Sequence, residues 1–98
     1  MPWVWNPEKN AANKTKHRLS FEIAMLVFDD TNAISRIDVY PHEERLHTIG
    51  LVNGIEILVI HTPLKYDPAT GEETGRIISA RKATQCEREA YYRKGYIE

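Results

Sequence analysis

Cysteine is almost missing from this chain. The one cysteine, Cys86, cannot form an internal disulfide, as is typical of proteins from a reducing compartment. Long hydrophobic runs are missing too: a run such as residues 57–60 is far shorter than the roughly 20 residues of a membrane-spanning helix. The first residues have neither a basic leader nor a continuous apolar core. We therefore expect no signal peptide, no membrane partner and a cytoplasmic location.

Motifs of metal and nucleophilic chemistry are also lacking. The histidines match no zinc-ligand spacing, and the cysteine stands apart from them. Ser20 and Ser79 fall at a predicted helix cap and inside a predicted strand, where capping and packing account for them. The five glycines lie at separate turns and form no phosphate-binding loop. The sequence predicts no metal and no cofactor. The four histidines are His17, His42, His47 and His61.

The length of 98 residues fits one small domain, residues 1–98, and excludes two. Its composition, 42% hydrophobic and 28% charged, is that of a globular chain whose thin core leaves surface for a partner. The net charge of −1 hides a segregation: +2 over residues 1–28, −6 over 29–75 and +4 over 76–94. This pattern either presents a local positive field to an anion or is plain surface variation.

The first elements are a short strand and a helix. Residues 2–5 are aromatic and β-branched, which favours a brief leading strand. A helix is predicted over residues 7–17, because Asn6 can cap the free amides of a first turn and Pro7 suits the first helical position. This helix is polar nearly all round, so we expect it on the surface.

Two further helices follow from capping residues. Ser20 caps the second, which carries an apolar stripe toward the core and ends at residues 29–32. Thr84 and Glu87 form a capping box, which predicts a third helix over residues 85–93. The stripe of the second helix comprises Phe21, Ala24, Met25 and Phe28, widened by Ile23 and Val27.

A hairpin is the clearest β signal. Residues 45–51 alternate as a half-buried strand does, and residues 55–62 form a strand apolar enough to be central. Asn53 and Gly54 between them are among the strongest short-range signals of a hairpin turn.

Weaker signals complete the sheet. Residues 33–40 suggest a strand, residues 64–75 form a longer loop that can open another hairpin, and residues 76–81 form the last strand. The element order predicts an α+β fold with an antiparallel sheet of three to four strands. Two N-terminal helices lie on one face, and a C-terminal helix lies at the edge.

Cations on the predicted strands are the candidates for chemistry. Arginine binds phosphate with a planar fork, and cations at a transferring phosphate stabilise the charge of its transition state. The alternative is structural: Arg45 pairs with Glu44 or Asp38, and Arg81 pairs with Glu87. The candidate cations are Arg45, His47, His61, Arg76, Arg81 and Lys82.

Arg76 and Arg81 pose a geometric condition for a shared surface. Five positions apart in a regular strand, they point to opposite faces. They line one surface only if the strand contains a bulge or ends between them.

Two stretches are specific enough to indicate a family: the Trp-to-Lys-His segment of residues 5–17 and the Ile-Ser-Ala-Arg-Lys-Ala run of residues 78–83. In order and spacing, the residues of nearly the whole chain resemble the BrnT toxin family. The matching residues are Trp5, Lys9, Asn13, Lys16, His17, Phe21, Glu22, Ala24, Phe28, Glu44, Arg45, Gly50, residues 76–84, Glu87, Arg88 and Tyr91.

This resemblance implies a toxin of a type II toxin–antitoxin system with a RelE-like fold, that is, a small α+β endoribonuclease. Such a protein is expected to cut RNA, free or on the ribosome, without a metal and to arrest growth until an antitoxin neutralises it. BrnA is the antitoxin of the family and binds DNA, so operator DNA is reached only through it. Arg18 departs from the pattern because a glycine commonly follows the Lys-His pair, and the loop of residues 63–75 is longer than is typical.

The resemblance also implies the mechanism and its residues. The neighbouring 2′-hydroxyl attacks the scissile phosphate and leaves a cyclic phosphate end. Arg81, Arg76 and Arg45 are expected to bind the phosphate and stabilise the transition state, and Glu44 or His61 to transfer protons.

Other residues are expected to contact the substrate. Lys82 contacts the RNA backbone, and Lys16 and His17 either complete the site or anchor a helix end, which favours cations. Tyr91 either stacks on a base or packs in the core.

A second hypothesis belongs to a different class. In it the chain no longer cuts RNA and serves as a binding module that completes an antitoxin-containing operator repressor. Growth arrest on expression, and its loss on Arg81→Ala, distinguishes the two hypotheses.

Overall fold

The computed structural model describes residues 2–38 and 41–94, and its architecture is α+β, as predicted. In this part of the chain no helix is both long and apolar enough to cross a membrane. The elements are β1 (Trp3–Val4), α1 (Pro7–His17), α2 (Phe21–Ala24), a 3-10 helix (Met25–Asp29), β2 (Ile34–Asp38), β3 (Arg45–Val52), β4 (Ile55–His61), β5 (Lys65–Asp67), β6 (Glu72–Lys82) and α3 (Gln85–Tyr92).

Helix α1 has the predicted bounds. The Oδ1 atom of Asn6 accepts a hydrogen bond from the Glu8 amide at 2.8 Å, and Pro7 occupies the first turn. The helix ends at Arg18, which adopts a left-handed conformation with φ 55°. This conformation suits glycine best, because a Cβ atom is crowded there.

The second predicted helix is only partly α-helical. Ser20 caps α2 by accepting a hydrogen bond from the Ile23 amide at 3.2 Å, but from Met25 the chain continues as a 3-10 helix. The tighter turn shifts the buried stripe. Val27 is completely buried, whereas Met25 and Phe28 are half-buried.

Within the described residues the sheet has six strands, so the prediction of three to four antiparallel strands is wrong in number. The order is β1-β6-β4-β3-β2, and β5 also pairs with β6. The sheet is mixed, since β1 runs parallel to β6 and the other pairs are antiparallel. The predicted leading strand is observed as β1, whereas β5 has three residues, too few to show a pattern. The predicted strand over residues 33–40 is observed as β2, and residues 39 and 40 lie outside the described residues.

Both hairpins are present. Asn53 and Gly54 join β3 to β4 with φ values of 50° and 79°, the positive pair that a tight hairpin turn requires. The predicted loop of residues 64–75 contains β5 and the beginning of β6, which pair with each other. Strand β6 is therefore longer than the predicted 76–81.

A bulge interrupts the pairing of β4 with β6. Ile60 pairs with Ser79 and His61 pairs with Ile77, so Ile78 is an extra residue in β6. An extra residue reverses the alternation of side chains beyond it. The bulge therefore meets the condition for Arg76 and Arg81 to share a face.

The two sheet faces carry separate cores. Phe21, Ala24 and Val27 pack with Val59 and Ala80 on one face, which we call the α2 face. On the second face Tyr91 of α3 packs with three buried residues. The prediction that the C-terminal helix lies at the sheet edge is therefore wrong, because α3 covers part of this face. Those three residues are Ile49, Leu58 and Ala83.

Candidate functional site

Four arginines share the second face of the sheet, which we call the arginine face. Arg81 pairs with Leu58, a member of the core on this face. Ile77 belongs to the core of the α2 face, so its neighbour Arg76 points to the arginine face. The other two are Arg45, two residues before His47 in β3, and Arg36, which pairs with His47. His47 pairs in turn with Ile60, which packs against the core of this face.

Glu43 joins two of these arginines. Its carboxylate accepts hydrogen bonds from one terminal nitrogen of Arg76 at 2.8 and 3.0 Å and from Nε of Arg45 at 3.3 Å. The bonds from Arg76 lower the pKa of Glu43 below its usual value, so the carboxylate is charged at neutral pH. The three side chains form one linked group, the Arg45–Arg76 group, at the beginning of β3.

The register explains this meeting. Leu46, His61 and Ile77 form one row across β3, β4 and β6. Arg45 and Arg76 each precede a member of that row in strands that run in the same direction. Two strand spacings, about 10 Å, separate their backbones, a distance that long side chains and Glu43 span.

His47 lies on the arginine face, one alternate position beyond Arg45. Its Nε2 atom is 3.1 Å from Oδ2 of Asp38, which pairs with Arg45 across β2 and β3. The His47 side chain is 16% exposed, so it is held in place but reachable from solvent. A histidine–carboxylate pair beside arginines is suited to proton transfer at a phosphate.

Arg81 is the partner of Glu87. Two nitrogens of its guanidinium donate to the two carboxylate oxygens at 2.7 and 2.9 Å, which is the pairing of the structural alternative. Burial raises the pKa of Glu87, but hydrogen bonds from Arg81 and the Thr84 amide outweigh it and lower the pKa overall. The pair ties α3 to β6.

Arg81 also lies apart from the Arg45–Arg76 group. It shares a row with Leu58 and Ile49, four residues along β3 from Arg45. Four residues of a strand span about 13 Å. In this structure Arg81 is engaged with Glu87 and is separate from the Arg45–Arg76 group.

His61 points to the α2 face, away from the arginines. It is 4% exposed and lies against the rings of Trp3 and Phe28. Its Nδ1 faces the Thr62 carbonyl oxygen at 2.9 Å, and its Nε2 faces the Thr48 hydroxyl at 2.6 Å. Burial lowers the pKa of His61, so the ring is neutral, Nδ1 donates and Nε2 accepts. Both ring nitrogens are occupied.

Three residues predicted to contact the substrate lie away from the Arg45–Arg76 group. Lys82 and His17 line a groove on the α2 face, and Lys16 is exposed in the last turn of α1 beside it. Glu44 is exposed just before β3 and next to Arg45. Lys82 and its neighbour Arg81 therefore lie on opposite faces of the sheet.

Tyr91 is 6% exposed, and its ring packs in the core of the arginine face. Its hydroxyl donates to Oδ2 of Asp30 at 2.5 Å. This hydrogen bond raises the pKa of Tyr91 to about 12. Of its two expected roles, Tyr91 therefore has the one in which it packs in the core. Its neighbour Tyr92 is exposed.

Sequence reasoning missed two residues of this group. Alternation over residues 45–51 placed His47 with Arg45, but nothing local indicated that Asp38 would contact it. Glu43 accepts a hydrogen bond from Arg45, for which the sequence indicates only Glu44 and Asp38 as partners. Among residues 2–38 and 41–94, no cluster of three potential metal ligands occurs.

Comparison with known protein families identifies a matching family. A family model described as "Ribonuclease toxin, BrnT, of type II toxin-antitoxin system" matches residues 5–87 of the chain. No curated protein matches the chain. The matched span includes the Arg45–Arg76 group and the Arg81–Glu87 pair, and it ends at Glu87.

Proposed function

Because the chain belongs to the BrnT family of ribonuclease toxins of type II toxin–antitoxin systems, we propose that it cleaves RNA on the arginine face without a metal. The fold is proposed to be of the RelE type, and growth arrest follows from loss of translated RNA. The observation that carries this proposal is the bulge between Ile60 and His61, because it turns Arg76 to the face that holds Arg45 and His47.

Arg45 and Arg76 bind the scissile phosphate. Both are held at one end of the sheet by Glu43, with side chains 22% and 46% exposed. The phosphate displaces the Glu43 carboxylate, since it offers the same acceptor geometry with more charge. As charge builds up on phosphorus, the two guanidinium groups stabilise it.

His47 is the proton acceptor. It takes the proton of the ribose 2′-hydroxyl, the 2′-oxygen bonds to phosphorus, and the bond from phosphorus to the 5′-oxygen breaks. Water on the open face protonates the leaving 5′-oxygen, and the products carry a cyclic phosphate and a 5′-hydroxyl. Asp38 orients the ring and stabilises the imidazolium that forms.

This assignment changes the roles expected from the sequence. His61 serves the fold, because both of its nitrogens are engaged on the other face. Glu44 remains a second candidate for proton transfer because it is exposed beside Arg45. Arg81 contacts a neighbouring phosphate and positions α3, whereas Tyr91 is a core residue.

The protein partner is a BrnA-like antitoxin, and operator DNA is bound through it. The family is defined by a type II system, in which a protein antitoxin neutralises the toxin. Lys16, His17 and Lys82 lie away from the Arg45–Arg76 group, which favours a contact other than the scissile phosphate.

The test is RNA cleavage by purified protein in excess chelator. The wild type, Arg76→Ala and Arg93→Ala are incubated with single-stranded RNA, alone and with translating ribosomes. Arg93 is the matched control, since it pairs with Glu89 on α3 and is 56% exposed. Arg76→Ala should lower the rate at least about 100-fold, and Arg93→Ala should leave it within about twofold.

Three results would contradict the proposal. Dependence of cleavage on a divalent metal would contradict the metal-independent mechanism. Equal cleavage rates for Arg76→Ala and wild type would contradict the assignment of the site to the arginine face. No cleavage in either arm, with a stable antitoxin complex, would favour the binding-module hypothesis.

A further inference from the structure

A groove on the α2 face combines apolar and basic surface. It lies between the end of α1, helix α2 and the β3–β4 hairpin and has a volume of about 270 Å³. Val52 and Ile57 are buried at its base. Ile23 and Ile55 line it with 42% and 43% of their surface exposed, so two aliphatic side chains of the lining are open to solvent.

The charge of the groove has one sign. Arg18 and Lys82 are exposed on its lining, and His17 lies beside them. Lys16, exposed in the last turn of α1, is a further cation next to His17 in the chain. Among the described residues that line the groove, none carries a carboxylate.

We propose that this groove binds a protein segment in which aliphatic side chains stand beside carboxylates. The aliphatic side chains cover Ile23 and Ile55, and the carboxylates pair with Arg18 and Lys82. In a toxin–antitoxin pair that segment belongs to the antitoxin, and to this extent the inference rests on the proposed function.

The lining favours protein over RNA. Surfaces for single-stranded RNA combine cations with aromatic rings on which bases stack. The described lining of the groove has no Phe, Tyr or Trp, and its centre is aliphatic. A groove of this size is an anchor within a larger interface, because stable protein interfaces bury about 800 Å² on each partner.

The position of the groove separates binding from chemistry. It lies on the α2 face, whereas Arg45 and Arg76 lie on the opposite face of the sheet. A partner seated in the groove therefore leaves the Arg45–Arg76 group uncovered unless another part of it reaches around. Substitutions in the groove should weaken the complex without slowing the free toxin.

The experiment compares one double variant of the groove and one single control variant with the wild type. The groove variant is Ile23→Glu with Ile55→Glu, and the control is Ile37→Glu, which alters an isoleucine that is 64% exposed in β2. Thermal unfolding first selects variants that are folded. Affinity for the purified cognate antitoxin is then measured by calorimetry, and RNA cleavage is measured on the same samples.

The groove variant should bind the antitoxin at least about tenfold more weakly, while the control binds as the wild type does. Arg18→Glu should weaken binding as well and reduce its dependence on salt. Equal antitoxin affinity for wild type and groove variant would overturn the proposal. Weaker RNA binding by Arg18→Glu, with unchanged antitoxin affinity, would overturn it in favour of an RNA groove.

The cleavage readout separates this inference from the proposed function. If the wild type fails to cleave RNA but the groove variant still loses the antitoxin, the groove assignment stands and the ribonuclease assignment fails. If cleavage is normal and antitoxin affinity is equal in all variants, only the groove assignment fails.

Discussion

Asn13 takes the place of a neighbouring strand for Ala80. Its Nδ2 atom donates to the Ala80 carbonyl oxygen at 2.8 Å, and its Oδ1 atom accepts from the Ala80 amide at 3.2 Å. Nδ2 also donates to the Leu19 carbonyl oxygen at 2.8 Å. One buried side chain in α1 thus satisfies the outer edge of β6 and the turn that leads to α2.

Replacing Asn13 by Ala should strongly destabilise the fold. The substitution leaves backbone groups of Ala80 and Leu19 without their partners, and each buried unsatisfied group costs about 1–3 kcal/mol. We expect a loss of about 3 kcal/mol in the free energy of unfolding, measured by urea titration. Lys14→Ala, an exposed change in the same helix, is the control, and a loss below about 1 kcal/mol for Asn13→Ala would contradict this account.

Arg18→Gly should stabilise the chain. Arg18 has φ 55°, a conformation that glycine adopts without a Cβ penalty. We expect a gain of about 0.5–1 kcal/mol in the free energy of unfolding, partly offset by the greater freedom of glycine in the unfolded chain. Arg18→Ala keeps the Cβ atom and removes only the charged side chain, so it should give no such gain. Equal stability of the Gly and Ala variants would show that the backbone conformation is not the cause.

Local rules predicted the features that short segments determine. Asn6, Ser20 and Thr84 cap the helices as expected, and Asn53-Gly54 turns the hairpin. Caps and tight turns depend on neighbours within four residues, which the sequence shows directly.

Features that depend on distant partners could not be predicted. The bulge in β6 is set by the pairing with β4, and α3 reaches the second face because Tyr91 fits beside Ile49 and Leu58. The sequence named Arg45 and Arg76 as candidates but could not show that Glu43 would join them. Such contacts arise only when the register of three strands is fixed.

The Arg81–Glu87 pair should contribute to stability as well as to any role in activity. Glu87 is 17% exposed, and Arg81 is 35% exposed, so solvent screening limits the coupling to about 1 kcal/mol. A double-mutant cycle with Arg81→Ala and Glu87→Ala measures it. A coupling near zero would contradict this estimate. Loss of toxicity in Arg81→Ala is informative only when the amount of folded protein is unchanged.

The same pair predicts a pH dependence. The pKa of Glu87 is lowered in the folded chain, so its contribution is present above the unfolded pKa of about 4.3 and is lost as pH falls through the folded value. Wild type should therefore lose more stability between pH 6 and pH 3 than Glu87→Gln does. Parallel losses in the two proteins would place the pH dependence elsewhere.

Tyr91 and Asp30 predict a change at the alkaline end. The hydrogen bond to Asp30 raises the pKa of Tyr91 to about 12, so its stabilisation is present below the unfolded pKa of about 10 and is lost as pH rises through 12. Tyr91→Phe should cost about 1–2 kcal/mol at pH 8, and this difference should shrink above pH 10. Tyr92→Phe, at a side chain 63% exposed, should cost less. A cost for Tyr91→Phe that does not change with pH would contradict this account.

Glu43→Gln tests whether the Arg45–Arg76 group binds phosphate. Glu43 holds Arg76 through two oxygens, so an RNA phosphate must compete with a charged carboxylate for the same guanidinium. Removing that charge should raise RNA affinity by about three- to tenfold at low salt, with the gain shrinking as salt rises. Binding is measured by fluorescence anisotropy with a cleavage-resistant RNA in which the 2′-hydroxyls are methylated. Glu89→Gln, which alters the exposed partner of Arg93, is the matched control and should leave the affinity unchanged. A lower affinity for Glu43→Gln would mean that the carboxylate orients the arginines instead of competing for them, because only then does its loss scatter the two donors that the phosphate needs.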